Sequence, residues 1–75
     1  MTARSQLAAD IGRRIRELRR LESLSQRDLQ ERTGIPYQDI SKYENGHKIP
    51  SVPSILRLAE AMYATADDLL YDGER

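Results

Sequence analysis

The stretch from Ser25 to Pro50 constrains this 75-residue chain more than any other. Ser25 stands three residues before Asp28, the spacing of a reciprocal helix start. The hydroxyl accepts from an early backbone N–H while the carboxylate reaches back to the cap. A helix is predicted from Gln26 to Thr33, burying Leu29. Gly34 falls where a helix ends on a left-handed residue, which glycine adopts without a Cβ penalty. Ile35 turns back to the core, and Pro36 suits the first turn of the next helix, where its missing N–H would be unpaired anyway. That helix directs Ile40 and Tyr43 inward and Tyr37, Gln38, Ser41 and Lys42 outward, and it ends at Asn45-Gly46. His47 to Pro50 is a loop. Two short helices therefore meet at a glycine, with a polar row on the outer face of the second.

Periodicity completes the plan. Ile11, Ile15 and Leu18, with Leu7 before and Leu21 after, form one apolar helix face, so helix 1 is expected over Ser5 to Glu22. Arg13, Arg14, Arg16, Glu17 and Arg20 fill its other faces, and a solvated face is one of two readings for Arg13-Arg14 and Arg19-Arg20, a functional one being the other. Ser51 caps a fourth helix that tolerates Pro53 in its first turn and buries Ile55, Leu58, Ala59 and Met62. Thr65-Ala66-Asp67-Asp68 starts a short fifth helix, with acids favourable to its dipole and Leu69 inward. Tyr71 to Arg75 reads as a fraying tail. Phe and Trp are absent, a bias toward helix. The expectation is an all-α, compact five-helix domain spanning 1–75, with its core at about 11–70. The buried set is Ile11, Ile15, Leu18, Leu29, Ile35, Ile40, Ile55, Leu58, Met62 and Leu69.

Composition excludes several chemistries. The chain has no cysteine and one histidine, His47, so disulfides and Cys or His metal clusters are ruled out. There is no nucleophile–base set, and the glycines lie singly instead of in a phosphate-cradling loop. Neither an enzyme nor a cofactor is expected. No apolar run approaches the ~20 residues of a membrane span, and the N-terminus has no secretory h-region. The expected setting is cytoplasmic. Formal net charge is zero, but residues 1–52 carry ten Lys and Arg against seven Asp and Glu, whereas residues 53–75 carry two against five. The basic N-terminal part is the candidate face for a polyanion.

A helix pair with this turn and outward polar row is the layout of a DNA-reading helix-turn-helix. The whole string, Gln26, Gly34-Ile35, Ile40-Ser41-Lys42-Tyr43-Glu44-Asn45-Gly46 and Pro50-Ser51, resembles the phage Cro/repressor-type helix-turn-helix family, also called lambda-repressor-like or the xenobiotic-response-element family. The similarity covers about Ile11 to Leu70. It implies a five-helix domain that binds double-stranded DNA as a transcriptional regulator, usually a dimer and here a repressor, with helices 2 and 3 as the motif.

The resemblance also implies roles. Tyr37, Gln38 and Lys42 match outward positions that read bases, with Ser41 beside them. Gln38 suits adenine N6 and N7, and Lys42 suits guanine O6 and N7. Gln26 matches a glutamine that touches the DNA backbone and braces helix 3. Asn45 matches a phosphate-binding residue, and Lys48 adds a charge contact. Arg19 and Glu44 match an ion pair between helices 1 and 3 that would also aim Arg19 at a phosphate. Two residues depart from the pattern. Gln30 stands where alanine is usual at the closest approach of helices 2 and 3, so it must bend outward or force them apart. Asp39 places a negative charge within the reading helix. A homodimer is expected through Tyr63, Leu70 and Tyr71, the apolar residues of the acidic third least needed by the core. The competing class is an antitoxin-like module that holds a protein partner on the same scaffold, which zero net charge and Asp39 favour.

Overall fold

A computed structural model describes residues 2–71. It holds five helices: α1 (Ala3–Leu21), α2 (Gln26–Thr33), α3 (Tyr37–Glu44), α4 (Val52–Ala61) and α5 (Ala66–Leu70), with no strand among the described residues. The expected tail from Asp72 to Arg75 lies outside them. α1 packs on α3 and α5, α2 on α3 and α4, and α4 on α5. The core they enclose comprises Ile11, Ile15, Leu29, Ile35, Ile40, Tyr43, Ile55, Leu58, Ala59, Met62 and Leu69.

Local chemistry sets the helix limits. Ser25 and Asp28 form the reciprocal cap, with Asp28 N–H donating to Ser25 Oγ at 2.9 Å and Ser25 N–H to Asp28 Oδ2 at 2.8 Å. Thr65 and Asp68 repeat it at α5. α1 begins at Ala3, ahead of the expected Ser5, because Thr2 caps it by accepting from Ser5 N–H at 3.1 Å. Gly34 closes α2 at φ +78° and Gly46 follows α3 at φ +74°. The ends of α1 and α4 use the same left-handed turn without glycine. Ser23 and Tyr63 both sit at φ +56°, and Leu24 N–H and Ala64 N–H bond back to Arg19 O at 3.0 Å and Ala59 O at 2.8 Å. The paired bonds of that turn satisfy otherwise orphaned carbonyls.

Several sequence expectations need correction. Leu7 and Leu21 flank the α1 face without joining the core; they are 45 % and 77 % exposed. Ala8 takes the buried place beside Leu7, and Leu18 already stands at the core edge before Leu21, so the apolar spacing runs wider than the covered stripe. Leu18 is half-buried at the core edge. Arg14 is buried, not solvated, and its Nη1 donates to Leu69 O at 3.4 Å, where the chain passes over α1. Pro36 stands just before α3 as its N-cap, in an extended conformation (ψ 139°), not in the first turn.

Candidate nucleic-acid interface

The orientation of α3 is fixed first by close approach. A Cβ at Gly12, in the middle of α1, would overlap the Tyr43 carbonyl oxygen and come within 2.8 Å of Glu44 O. The glycine lets the α1 backbone rest directly on the last turn of α3. Beside this seam Glu44, its side chain 1 % exposed, gathers donors from two other helices. Arg19 Nε lies 2.7 Å from Oε2 and Arg19 Nη2 lies 2.9 Å from Oε1. Gln26 Nε2 donates to Oε1 at 3.2 Å and Arg16 Nε at 3.4 Å. Burial pushes the Glu44 carboxyl up, but hydrogen bonds from Arg19 and Gln26, the Arg19 charge and Arg16 outweigh it and hold the group below the ordinary carboxylate range. The bond to Glu44 raises the Arg19 guanidinium in turn, against burial that would lower it.

Each nitrogen of Arg19 makes a bond inside the protein, since the third, Nη1, donates to Leu24 O at 2.8 Å. These bonds use three of the five N–H donors of the guanidinium, so the expected phosphate contact of Arg19 would fall to the other two. Arg16, which sequence reasoning left on a solvated face, extends the network outward. Its Nη2 reaches Asn45 Oδ1 at 3.1 Å and Glu44 O at 3.4 Å. Asn45 Nδ2 donates to Ser41 O at 2.9 Å. The Asn45 side chain, exposed after α3, is thus set in place by α1 and by its own helix.

The start of α3 is built differently. Pro36 gives no side-chain cap, so the first N–H groups of α3 need a partner from elsewhere. Gln30 supplies it: its Oε1 accepts from Tyr37 N–H at 2.8 Å. The glutamine bends outward and the helices stay in contact, so the unusual residue is a cap delivered from α2 to α3. Arg27, one helical turn before Gln30, lies with its Cζ 4.4 Å from the centre of the Tyr37 ring.

Between these two ends Gln38 and Lys42 are exposed, and Tyr37 and Ser41 are half-buried. The four fall on one face of α3, as positions i, i+1, i+4 and i+5 must. Asp39 is partly neutralised: Lys48 Nζ, from the loop after α3, sits 3.9 Å from its Oδ1 and 5.9 Å from the Tyr43 ring centre. Outside α3, Tyr63 and Tyr71 are 80 % and 55 % exposed, while Leu70 is half-buried against the core. Gly12, Arg16, Arg27 and Gln30 were missed as contributors. Only Gln30 carried a signal, its departure from alanine.

A protein-family profile described as helix-turn-helix matches residues 15–68. The chain belongs to the helix-turn-helix family. It is 34 % identical over 67 residues to an uncharacterized transcriptional regulator in the ATPase CF(0) region of Rhodospirillum rubrum, an alignment covering 89 % of this chain and 62 % of that protein. Among solved structures it is similar to the restriction-modification controller protein C.AhdI from Aeromonas hydrophila, with TM-score 0.80, 32 % identity, and coverage of 83 % of this chain and 94 % of that one. It is also similar to the clp gene regulator ClgR from Corynebacterium glutamicum, with TM-score 0.82, 25 % identity, and coverage of 85 % and 68 %. The hypothetical transcription factor NHTF from Neisseria shares the fold, with TM-score 0.85, 22 % identity, and coverage of 99 % and 85 %. This is a helix-turn-helix domain with the fold of transcription regulators, and α2 and α3 are its motif.

Proposed function

We propose that this chain is a sequence-specific double-stranded DNA-binding transcriptional regulator, a repressor that lays α3 in the major groove. The observation that carries the reading is the arrangement around α3. A buried network fixes one end of the helix while Gln38 and Lys42 stay exposed on its outer face. A helix held this way can present Tyr37, Gln38, Ser41 and Lys42 to base edges in one register. Arg19, Gln26, Asn45 and Lys48 flank the row and suit phosphate contacts. The repressor role follows the resemblance to phage repressors, and a duplex DNA partner supports a cytoplasmic setting.

One recognition helix covers few base pairs, so two copies related by a two-fold axis would bind half-sites about 34 Å apart. Tyr63 and Tyr71 offer exposed apolar surface for that contact; Leu70, half-buried, adds its edge. Binding to a cognate duplex across salt concentrations tests the reading. Affinity should fall steeply with salt, and Lys48→Ala should weaken all sequences alike and flatten the slope by about one unit. Sedimentation with and without DNA should show two protomers per site. Absence of duplex binding at any salt would overturn the function, and a one-to-one complex on a palindromic site at every protein concentration would end the dimer.

A further inference from the structure

Arg27 is exposed and, among the described residues, makes no hydrogen bond or ion pair; its guanidinium lies on the face of the Tyr37 ring. A cation over a ring face is held by the ring quadrupole and uses none of its N–H donors. The ring therefore restrains a long, flexible side chain in advance while every donor stays available. Ordering such a chain is a recognised cost of binding, and it is met here before any ligand arrives. The ring is restrained in return. Its backbone N–H is bound by Gln30 Oε1 at 2.8 Å, and Arg27 covers its face at 4.4 Å. Both partners come from α2, so this is a clasp between the two helices of the motif. The adjoining acid, Asp28, is turned to the Ser25 cap, where its Oδ2 accepts from Ser25 N–H at 2.8 Å.

We infer that Arg27 and Tyr37 act as one DNA-contacting unit across α2 and α3. Tyr37 places the Arg27 guanidinium on a phosphate of the duplex, and Arg27 fixes the Tyr37 ring against its base. A guanidinium matches phosphate through paired, charge-assisted hydrogen bonds. Bringing it from α2 onto the ring of a reading residue couples a contact that carries no sequence information to one that does. Gln30 is the positioning residue of the unit, acting on the backbone beneath the ring. The inference rests on the reading of α3 as the DNA helix.

A double-mutant cycle on DNA affinity tests it, measured on the duplex that the unmodified chain selects from a random pool. Arg27→Ala should weaken binding about tenfold and reduce the salt slope by about one unit. In a Tyr37→Ala background the same change should weaken binding less than about twofold. In a Tyr37→Phe background, where the ring remains, the tenfold effect should return. Arg27→Ala should also relax preference at the base pair relaxed by Tyr37→Ala, a change that an independent phosphate charge would not produce. Equal losses in all three backgrounds, or no loss on Arg27→Ala, would overturn the unit while leaving the DNA-binding function intact. Failure of the unmodified chain to bind any duplex would remove both.

Discussion

At its C-terminal end α3 is held by a seam with a buried centre: Gly12 under its last turn and Glu44 bonded to Arg16, Arg19 and Gln26. At its N-terminal end it is held by a surface clasp, the Gln30 cap and the Arg27 guanidinium over Tyr37. The first set spends most of its bonds on one buried carboxylate. The second leaves the N–H donors of Arg27 open. Rigidity comes from the end where a carboxylate and backbone are buried together, and contact with a ligand is left to the end where side chains are restrained but unspent. A helix needing both a fixed angle and a reactive face can separate the two duties along its length.

The largest effect should come from breaking the buried end. Glu44→Ala leaves Arg19 without its carboxylate in a site only 13 % exposed at the Arg19 side chain, and should destabilise the fold by about 3–5 kcal/mol. Denaturant unfolding measures it, and Arg19→Ala combined with Glu44→Ala should recover part of the loss. The same carboxyl makes stability pH-dependent. Held below its ordinary value of 4.5 in the fold, Glu44 contributes fully above that value. The contribution is lost as pH falls through the depressed folded-state value. Glu44→Gln should therefore flatten the acid limb of a stability–pH curve and leave its neutral region with the same slope.

Gly12→Ala comes next. The new methyl meets backbone carbonyls, which cannot swing aside as a side-chain end can, so α1 and α3 must part at roughly 3 kcal/mol. An unchanged melting temperature would show that the seam yields. At the open end Gln30→Ala should cost about 1 kcal/mol, the size of a lost cap. It should speed hydrogen exchange at the Tyr37 amide while the Glu44 network keeps its protection. If exchange at Tyr37 did not change, the cap would be idle. The smallest change serves as a control. Ser23→Gly relieves a left-handed serine at φ +56° outside both ends of α3. It should stabilise the fold by about 0.5 kcal/mol, once glycine's entropy is set against the strain, with DNA affinity unaltered.

The sequence was legible where information is local. Ser25, Asp28 and Gly34 fix both ends of α2, and the spacing of Ile55, Leu58, Ala59 and Met62 marks the face that α4 buries. Arg19 and Glu44, 25 residues apart, could be paired only through resemblance to a family, because no periodicity links them. Arg14 and Arg16 show the limit. Both sit on an arginine-rich helix that reads as solvated, yet one is covered by the chain at Leu69 and the other reaches Glu44 and Asn45. Their neighbours come from segments 28 and 55 residues away, and only the packed fold brings them there. Gln30 was visible as an anomaly, but its use was not. That depended on Pro36 standing outside α3 and leaving the Tyr37 N–H to be capped from another helix.

The central claim is that α3, fixed by Glu44, reads DNA through its outer row. Selection of bound duplexes from a random pool, run in parallel on the unmodified chain and on Gln38→Ala, tests it most directly. The account predicts enrichment of inverted half-sites about 34 Å apart. In Gln38→Ala one base-pair position per half-site should relax, at a cost of roughly 1–3 kcal/mol on the original site. No enriched sequence, or an identical motif from both proteins, would contradict it.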